Sequence, residues 1–155
     1  MSLDPQGVRA LHRPVDSVEL VSLGAASVRF VAPGSITSGR FGLFRWDMEA
    51  NAGGPSPHFH KTFSESFYVL SGTVRLGDGQ RWWEATAGDY LYVPEGAVHA
   101  FENDSDEPAS MLILFAPGAP RERYFEELAE LATTGRQLSD EEWVSLYARH
   151  DQYMV

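Results

Sequence analysis

Cysteine, positive charge and long apolar runs are absent or scarce in this sequence of 155 residues. Without cysteine there can be no disulfide, thiolate metal site or cysteine nucleophile, so any metal must be bound by histidine or carboxylate side chains. The chain has 12 lysines and arginines against 22 aspartates and glutamates, and its net charge of −10 disfavours binding to nucleic acids and anionic membranes. No segment approaches the roughly 18 consecutive apolar residues of a membrane-spanning helix, and the N-terminus lacks the apolar core of a signal peptide. We therefore expect a cytoplasmic protein.

The length predicts one compact domain, and the pattern of the chain predicts three segments. Residues 1–17 are polar and proline-containing, which indicates a loosely ordered arm. Residues 18–117 carry short apolar runs separated by glycine, proline, asparagine and aspartate, whereas residues 118–155 have helical periodicity.

Ten short runs in the middle segment are typical of β-strands joined by tight turns, including an Asp-Gly turn at residues 77–79. No helical period intervenes, so the sequence predicts an all-β sandwich or barrel. The predicted strands are Val18–Ser22, Ser27–Val31, Phe41–Met48, His58–His60, Glu65–Leu70, Thr73–Leu76, Arg81–Thr86, Tyr90–Val93, Val98–Glu102 and Met111–Phe115.

Two short amphipathic helices are predicted after the strands, over Arg121–Thr134 and Ser139–His150, the second opened by a Ser-Asp-Glu-Glu capping box. Their apolar stripes are expected to pack on the outside of the β-domain or on a partner subunit, and a homodimer is expected. His12 and His150 are expected at the surface, although the tail His150–Tyr153 could instead fold over a barrel mouth.

Four residues form a candidate metal site. His58 and His60 are two residues apart on a predicted strand, so both imidazoles lie on the same face. Glu65 can share that face if residues 61–64 turn or bulge, and His99 begins another apolar run. Three imidazoles and one carboxylate suit one divalent ion of Fe, Mn, Co, Ni, Cu or Zn, and the alternative is a barrel that has lost its metal.

The same residues lie in two segments that resemble cupin motifs. Residues 88–103 match the second cupin motif at its glycine, proline, histidine and asparagine positions, and residues 58–72 match the first. The leading glycine of the first motif is replaced by Ala52, with Gly53 and Gly54 next to it. The resemblance implies a double-stranded β-helix, a jelly-roll barrel, with the ion held inside by the four candidate ligands.

The walls of this barrel are expected to be apolar. Strand alternation places Phe67 and Val69 on the face of Glu65, and Phe101 on the face of His99, so these three are the predicted substrate-binding residues. Such a cavity favours a planar aromatic substrate.

The chain also resembles small bacterial cupins of the quercetin (flavonol) 2,3-dioxygenase type, and this implies a dioxygenase acting on a flavonol-like or enol substrate. In that family the residue matching Glu65 is a metal ligand and accepts the proton of the substrate hydroxyl. Two alternatives stay open: a non-redox isomerase or lyase, and a small-molecule binding or sensing domain without turnover.

Overall fold

The structure of the protein is a computed structural model that describes residues 7–155. Within these residues a short 3₁₀ helix, Val15–Ser17, precedes eleven strands and two α-helices. The strands are β1 (Leu20–Ser22), β2 (Ala26–Ala32), β3 (Gly42–Met48), β4 (His58–Phe59), β5 (Ser64–Ser71), β6 (Thr73–Gly77), β7 (Trp82–Thr86), β8 (Tyr90–Val93), β9 (Ala100–Glu102), β10 (Ala109–Ala116) and β11 (Tyr153–Met154).

The strands form the two sheets of a cupin double-stranded β-helix, as predicted. One sheet has six antiparallel strands in the order β1-β2-β3-β10-β5-β8. The other consists of β7-β6-β9 and β11-β4, which a single bridge between His58 and His99 connects. All ten predicted strands are present, with ends within two residues of the predicted ones, and the hairpin turn at residues 77–79 joins β6 to β7. The eleventh strand, β11, was not predicted.

The core lies between the two sheets and follows the alternation of side chains along each strand. In β3, for example, Phe44, Trp46 and Met48 are buried, whereas Arg45 between them is exposed. Because the inward positions are filled mainly by aromatic and aliphatic side chains, the interior provides an apolar setting for the few polar groups that lie in it.

Two helices complete the fold: α1 (Arg121–Thr134) and α2 (Asp140–Arg149). Helix α1 ends at Gly135, whose φ of 69° lies in the left-handed region favoured by glycine. The predicted capping box opens α2, because Ser139 Oγ accepts a hydrogen bond from Glu142 N at 3.1 Å and the Glu142 carboxylate accepts one from Ser139 N. Local sequence therefore determines where both helices begin or end.

Helix α1 packs on the β-domain, one of the two expectations for the helices, but its apolar stripe reaches the inward-facing rings of the barrel. Phe125 of α1 contacts the inward-facing rings of Phe30, Phe44, Trp46 and Phe115, at centroid distances of 5.1–6.4 Å. The barrel is open on this side, and the apolar stripe of α1 covers rings that would otherwise face water. The helices thus form part of the wall around the barrel interior.

Hydrogen bonds to strand β2 hold the N-terminal arm, and Arg29 Nη1 donates to the carbonyl of Val15 at 3.3 Å. Arg13 donates hydrogen bonds from Nε to the carbonyl of Val31 at 2.9 Å and from Nη2 to that of Phe30 at 3.0 Å. Residues 1–6 of the predicted arm lie outside the described residues, and the predicted segment boundaries at 17 and 117 stay predictions. Neither helix of residues 7–155 has the length and apolar character needed to cross a membrane.

Candidate metal centre

The four predicted ligands converge inside the barrel. One ligand atom from each of His58, His60, Glu65 and His99 lies within 4.8 Å of the others. None of the four residues is more than 4% exposed. A cluster of this composition, removed from water, is a candidate site for a single transition-metal ion.

Local structure brings the ligands together from both sheets. His58 and His99 face each other across the bridge, each accepting the other's backbone N–H, at 2.9 and 3.0 Å. His60 follows β4 directly, and the chain then turns before β5 begins at Ser64. Because of this turn, Glu65 points inward beside the imidazoles, as the sequence predicted.

Each imidazole is oriented by a hydrogen bond on its outer nitrogen. The Nδ1 atoms of His58, His60 and His99 lie 2.8, 2.7 and 3.2 Å from the carbonyl oxygens of Ser56, Asp151 and Ala97. A carbonyl only accepts, so each Nδ1 carries the proton and donates it. The three Nε2 atoms are left with their lone pairs available, as metal ligands require.

The position of Glu65 shows that the donor set fits a cation. Its Oε2 atom lies 3.0 Å from His60 Nε2 and 2.6 Å from His99 Nε2. Neutral imidazoles protonated on Nδ1 would place lone pairs against a carboxylate, which is repulsive unless a proton or a metal ion lies between them. A divalent ion satisfies all four donor atoms at once, so the residues fit the metal that the motif implies.

Without metal, burial and mutual charge shift the pKa values of the cluster. Burial alone would raise the pKa of Glu65, but the charge of His99 and hydrogen bonds from His60 and His99 outweigh it and lower this pKa. Burial opposes the charged form of His99, yet Glu65 raises its pKa above the usual value. Burial, together with the neighbouring His99, lowers the pKa of His58 to about 4. In the metal-free site the charged form of His99 is therefore favoured and the charged form of His58 is disfavoured.

A cavity of about 250 Å³ lies between the barrel and the helices, and His58 and Glu65 are part of its wall. Most of the remaining wall is apolar. Its aromatic members come from both the strands and the helices: Trp46, Phe101, Phe115, Tyr124, Phe125, Trp143 and Tyr147. Two of the candidate ligands are thus accessible to a molecule bound among aromatic rings.

Of the three predicted substrate-binding residues, one lines the cavity and two do not. Phe101 lines the cavity, where it packs edge-on against Trp46 at 5.4 Å between centroids. Phe67 and Val69 share the inward face of β5 with Glu65 but are fully buried and do not line the cavity. Phe67 instead packs behind Phe101, with the ring centroids 5.6 Å apart.

Sequence reasoning missed the contribution of Arg121 to the site. Arg121 is only 4% exposed and lines the cavity with Gln152, whose Oε1 accepts a hydrogen bond from Arg121 Nη2 at 3.1 Å. One signal was present, since Arg121 lies three and four residues before Tyr124 and Phe125 and so shares their helix face.

The tail folds over the site, which was one of the two expectations for it. The Asp151 carboxylate accepts hydrogen bonds from the backbone N–H groups of Lys61 and Thr62, both at 2.9 Å. Beyond it, β11 pairs with β4. The expected surface position of His150 is wrong, because its side chain is 11% exposed and its ring packs against Tyr124.

The departure from the motif at Ala52 is explained by the approach loop. The Ala52 side chain is buried, with 2% exposure. The close backbone approach falls instead on Gly54, where a Cβ atom would lie 1.8 Å from the carbonyl oxygen of Phe101. Glycine is therefore required two residues later than the motif predicts.

Comparison with known sequences identifies residues 44–115 as a match to the Cupin domain family. Germin-like protein 5-1 from Oryza sativa subsp. japonica is 33% identical over 107 residues, which cover 64% of this chain and 39% of that protein. An uncharacterized protein from Aquifex aeolicus (strain VF5) is 36% identical over 64 residues, covering 39% of this chain and 50% of the relative. The chain thus spans half or less of the length of these two relatives.

Solved structures share the fold. The polyketide cyclase RemF from Streptomyces resistomycificus superposes with a TM-score of 0.60 at 22% identity, covering 70% of this chain and 80% of that one. A sugar phosphate isomerase of the cupin superfamily from Silicibacter pomeroyi gives 0.59 at 24% identity, with coverages of 68% and 75%. An RmlC-like cupin from Shewanella frigidimarina gives 0.61 at 16% identity, with coverages of 75% and 96%. At these identities the likeness establishes the cupin double-stranded β-helix fold.

Proposed function

Starting from a cupin domain at residues 44–115 on a cupin fold, we propose that this protein is a metal-dependent dioxygenase of small aromatic or enolic compounds. The observation that carries the proposal is the opening of the His58 and Glu65 side of the ligand cluster onto an aromatic-walled cavity. A buried metal site with no adjoining cavity would be structural, whereas this one can be reached by a substrate.

His58, His60, Glu65 and His99 would hold the ion, and when bound it supplies a Lewis acid and, if redox-active, electron transfer to dioxygen. Glu65 is the residue placed to move a proton. Its carboxylate faces the cavity and only Oε2 is directed at the imidazoles, so Oε1 would be free to accept the proton of a substrate hydroxyl.

The cavity orients the substrate and excludes water from it. The rings of Trp46, Phe101 and Phe125 in the cavity wall would favour a flat ring, and burial of that ring would displace water from the carboxylate of Glu65. A volume of about 250 Å³ lies below the usual range of ligand pockets, which is roughly 300–1,000 Å³. We therefore place a one-ring compound ahead of a three-ring flavonol.

The second candidate is a non-redox reaction at the same site, an isomerisation, a lyase reaction or a cyclisation. The solved structures that share the fold include a polyketide cyclase and a sugar phosphate isomerase. Such a reaction needs only the Lewis acid and Glu65 as a base, so it would proceed without oxygen. A third candidate, a small-molecule binding domain, would bind the same compounds without turnover.

Oxygen uptake by metal-loaded protein distinguishes these functions. Protein reconstituted separately with Fe, Mn, Co, Ni, Cu and Zn is assayed with catechols, enols and flavonols, in air and without oxygen. The proposal predicts oxygen consumption coupled to substrate loss for at least one ion. Substrate loss without oxygen would establish the second candidate, and binding without substrate loss the third.

The role of Glu65 is tested in the same assay. Glu65→Gln retains an oxygen ligand but cannot accept the proton at neutral pH, so it should retain part of the metal and lose turnover. Unchanged turnover would exclude Glu65 as the base. Glu95→Gln, at an exposed carboxylate, is the matched control and should behave like the wild type.

We further propose that the protein is a cytoplasmic homodimer. Light scattering of the purified protein tests the oligomeric state.

A further inference from the structure

Arg121 is a buried cation without a carboxylate partner. It is 4% exposed, and among the ion pairs of residues 7–155 none includes it. Its Nη1 donates to the carbonyl of His150 at 2.7 Å and its Nη2 to Gln152 Oε1 at 3.1 Å, both neutral acceptors. These contacts tie the tail to α1. The charge of Arg121 is favoured by the more distant carboxylates of Glu65 and Asp151 and by the Tyr124 ring at 4.2 Å, but no carboxylate of the described residues lies within ion-pair distance of it.

One N–H group of the Arg121 guanidinium makes no hydrogen bond to the described residues. In the part of the chain that the structure describes, Arg121 Nε is buried and has no hydrogen-bond partner. Buried donors are almost always paired, and a missing partner at the wall of a cavity indicates a group that comes from outside the chain.

Trp46 adds a second donor of the same kind. It lines the same cavity at 8% exposure, and its Nε1 also has no partner among the described residues. The ring itself is fixed by edge-on contacts to Phe101 and Phe125, each at 5.4 Å between centroids. The cavity wall thus combines one full positive charge, two unused N–H groups and several aromatic rings.

We propose that Arg121 and Trp46 form a binding subsite for the carboxylate of a one-ring aromatic acid. This inference rests on the proposed function, because it assigns the substrate class of the same cavity. A carboxylate is an acceptor without donors, so it suits two unpaired N–H groups, and its negative charge would be attracted by the guanidinium of Arg121. The ring would lie against the aromatic wall, with the opposite end directed at Glu65 and His58.

A phosphate ester is a poorer occupant. A phosphate dianion needs several cations or many donors to replace its hydration, and Arg121 is the one basic side chain in the cavity wall. Glu65 lines the same small cavity and would repel the second charge. The walls also offer aromatic surface rather than the hydroxyl-binding groups that a sugar requires.

The test compares ligands of matched shape that differ in charge and in one hydrogen-bonding group. Isothermal titration of the metal-loaded and the metal-free protein is carried out with 4-hydroxybenzoate and with 4-hydroxybenzamide, which has nearly the same shape but no charge. We expect the acid to bind at least about tenfold more tightly than the amide in both forms. Equal affinity in the wild type would overturn the inference without any variant.

Substitutions of Arg121 and Trp46 test whether these two residues cause the preference for the acid. Arg121→Gln should abolish the preference for the acid, and Trp46→Phe, which keeps an aromatic ring but removes the N–H, should weaken binding of the acid more than that of the amide. If Arg121→Gln does not fold, Trp46→Phe and the wild-type comparison still decide the matter. Arg123→Gln, at an exposed arginine of the same helix, is the control. A full preference for the acid in Trp46→Phe and Arg121→Gln would refute the subsite.

The outcomes also separate this inference from the proposed function. Preference for the acid without oxygen uptake would support the subsite and contradict the dioxygenase. Oxygen-dependent turnover of neutral catechols or enols with no preference for acids would support the dioxygenase and contradict the subsite.

Discussion

Replacing Phe125 with alanine tests whether the helical extension is part of the barrel core. The ring is 3% exposed and contacts four aromatic side chains of the barrel. Truncation of a buried phenylalanine costs about 3–5 kcal/mol, from lost burial and from the cavity left behind. For a chain of this size each kcal/mol shifts the Tm by about 2–4 °C, so Phe125→Ala should lower the Tm by about 6–20 °C.

The assay is thermal unfolding followed by circular dichroism, with metal removed by chelation so that ion binding does not contribute to stability. Val144→Ala is the matched control, since Val144 lies in α2 and is 64% exposed. Its effect should stay within about 0.5 kcal/mol. If Phe125→Ala lowered the Tm no more than Val144→Ala does, α1 would not be docked among the barrel rings and the description of the cavity would be wrong.

Three further perturbations have defined outcomes. Gly54→Ala should destabilise the protein in urea unfolding, because the new Cβ would lie 1.8 Å from the carbonyl oxygen of Phe101 and the loop must move. Acidification of the chelated protein from pH 6.5 to 4 should cost up to about 3 kcal/mol through His58, whose pKa of about 4 means that the unfolded chain binds its proton first. Asp151→Asn should weaken metal binding by about tenfold in chelator competition, since one amide oxygen cannot replace a carboxylate that fixes the turn between two ligands.

Controls accompany each of these experiments. Gly53→Ala should be tolerated, because a Cβ there meets no atom within 4 Å. The pH effect should shrink in His58→Gln, and a wild-type stability that stays flat between pH 6.5 and 4 would contradict the burial of a neutral His58. Asp104→Asn, at an exposed carboxylate away from the tail, should leave metal affinity unchanged, and the same affinity in Asp151→Asn would show that the turn needs no support from the tail.

Within the ligand cluster, the common face of His58 and His60 was predictable from local geometry, whereas the convergence of all four residues was implied by the resemblance to the cupin motifs. The two-residue spacing of His58 and His60 fixes their common face in any strand, and the position of His99 follows from a tight turn and the strand after it. Tyr90–Val93 illustrates the same point, since its predicted and observed ends coincide. Such features depend on chain geometry within a few residues, so a single sequence suffices to find them.

The other half of the site was not predictable because it depends on tertiary docking. The apolar stripe of α1 indicated burial, but nothing in its periodicity indicated that Phe125 would lie among inward-facing barrel rings. The strand Tyr153–Met154 has two residues, too few to show a period. Arg121 and Asp151 acquire their roles through contacts with residues 29 to 91 positions away in the chain, which no local pattern records.

Metal content measured by inductively coupled plasma mass spectrometry tests the central claim most directly. The protein is offered each divalent transition ion, dialysed, and compared with the double variant His60→Ala/His99→Ala, whose folding is checked by circular dichroism. We predict about one ion per chain in the wild type and almost none in the folded double variant. A wild type that retains no ion, or a double variant that retains one ion per chain, would contradict the assignment of these side chains as a metal centre.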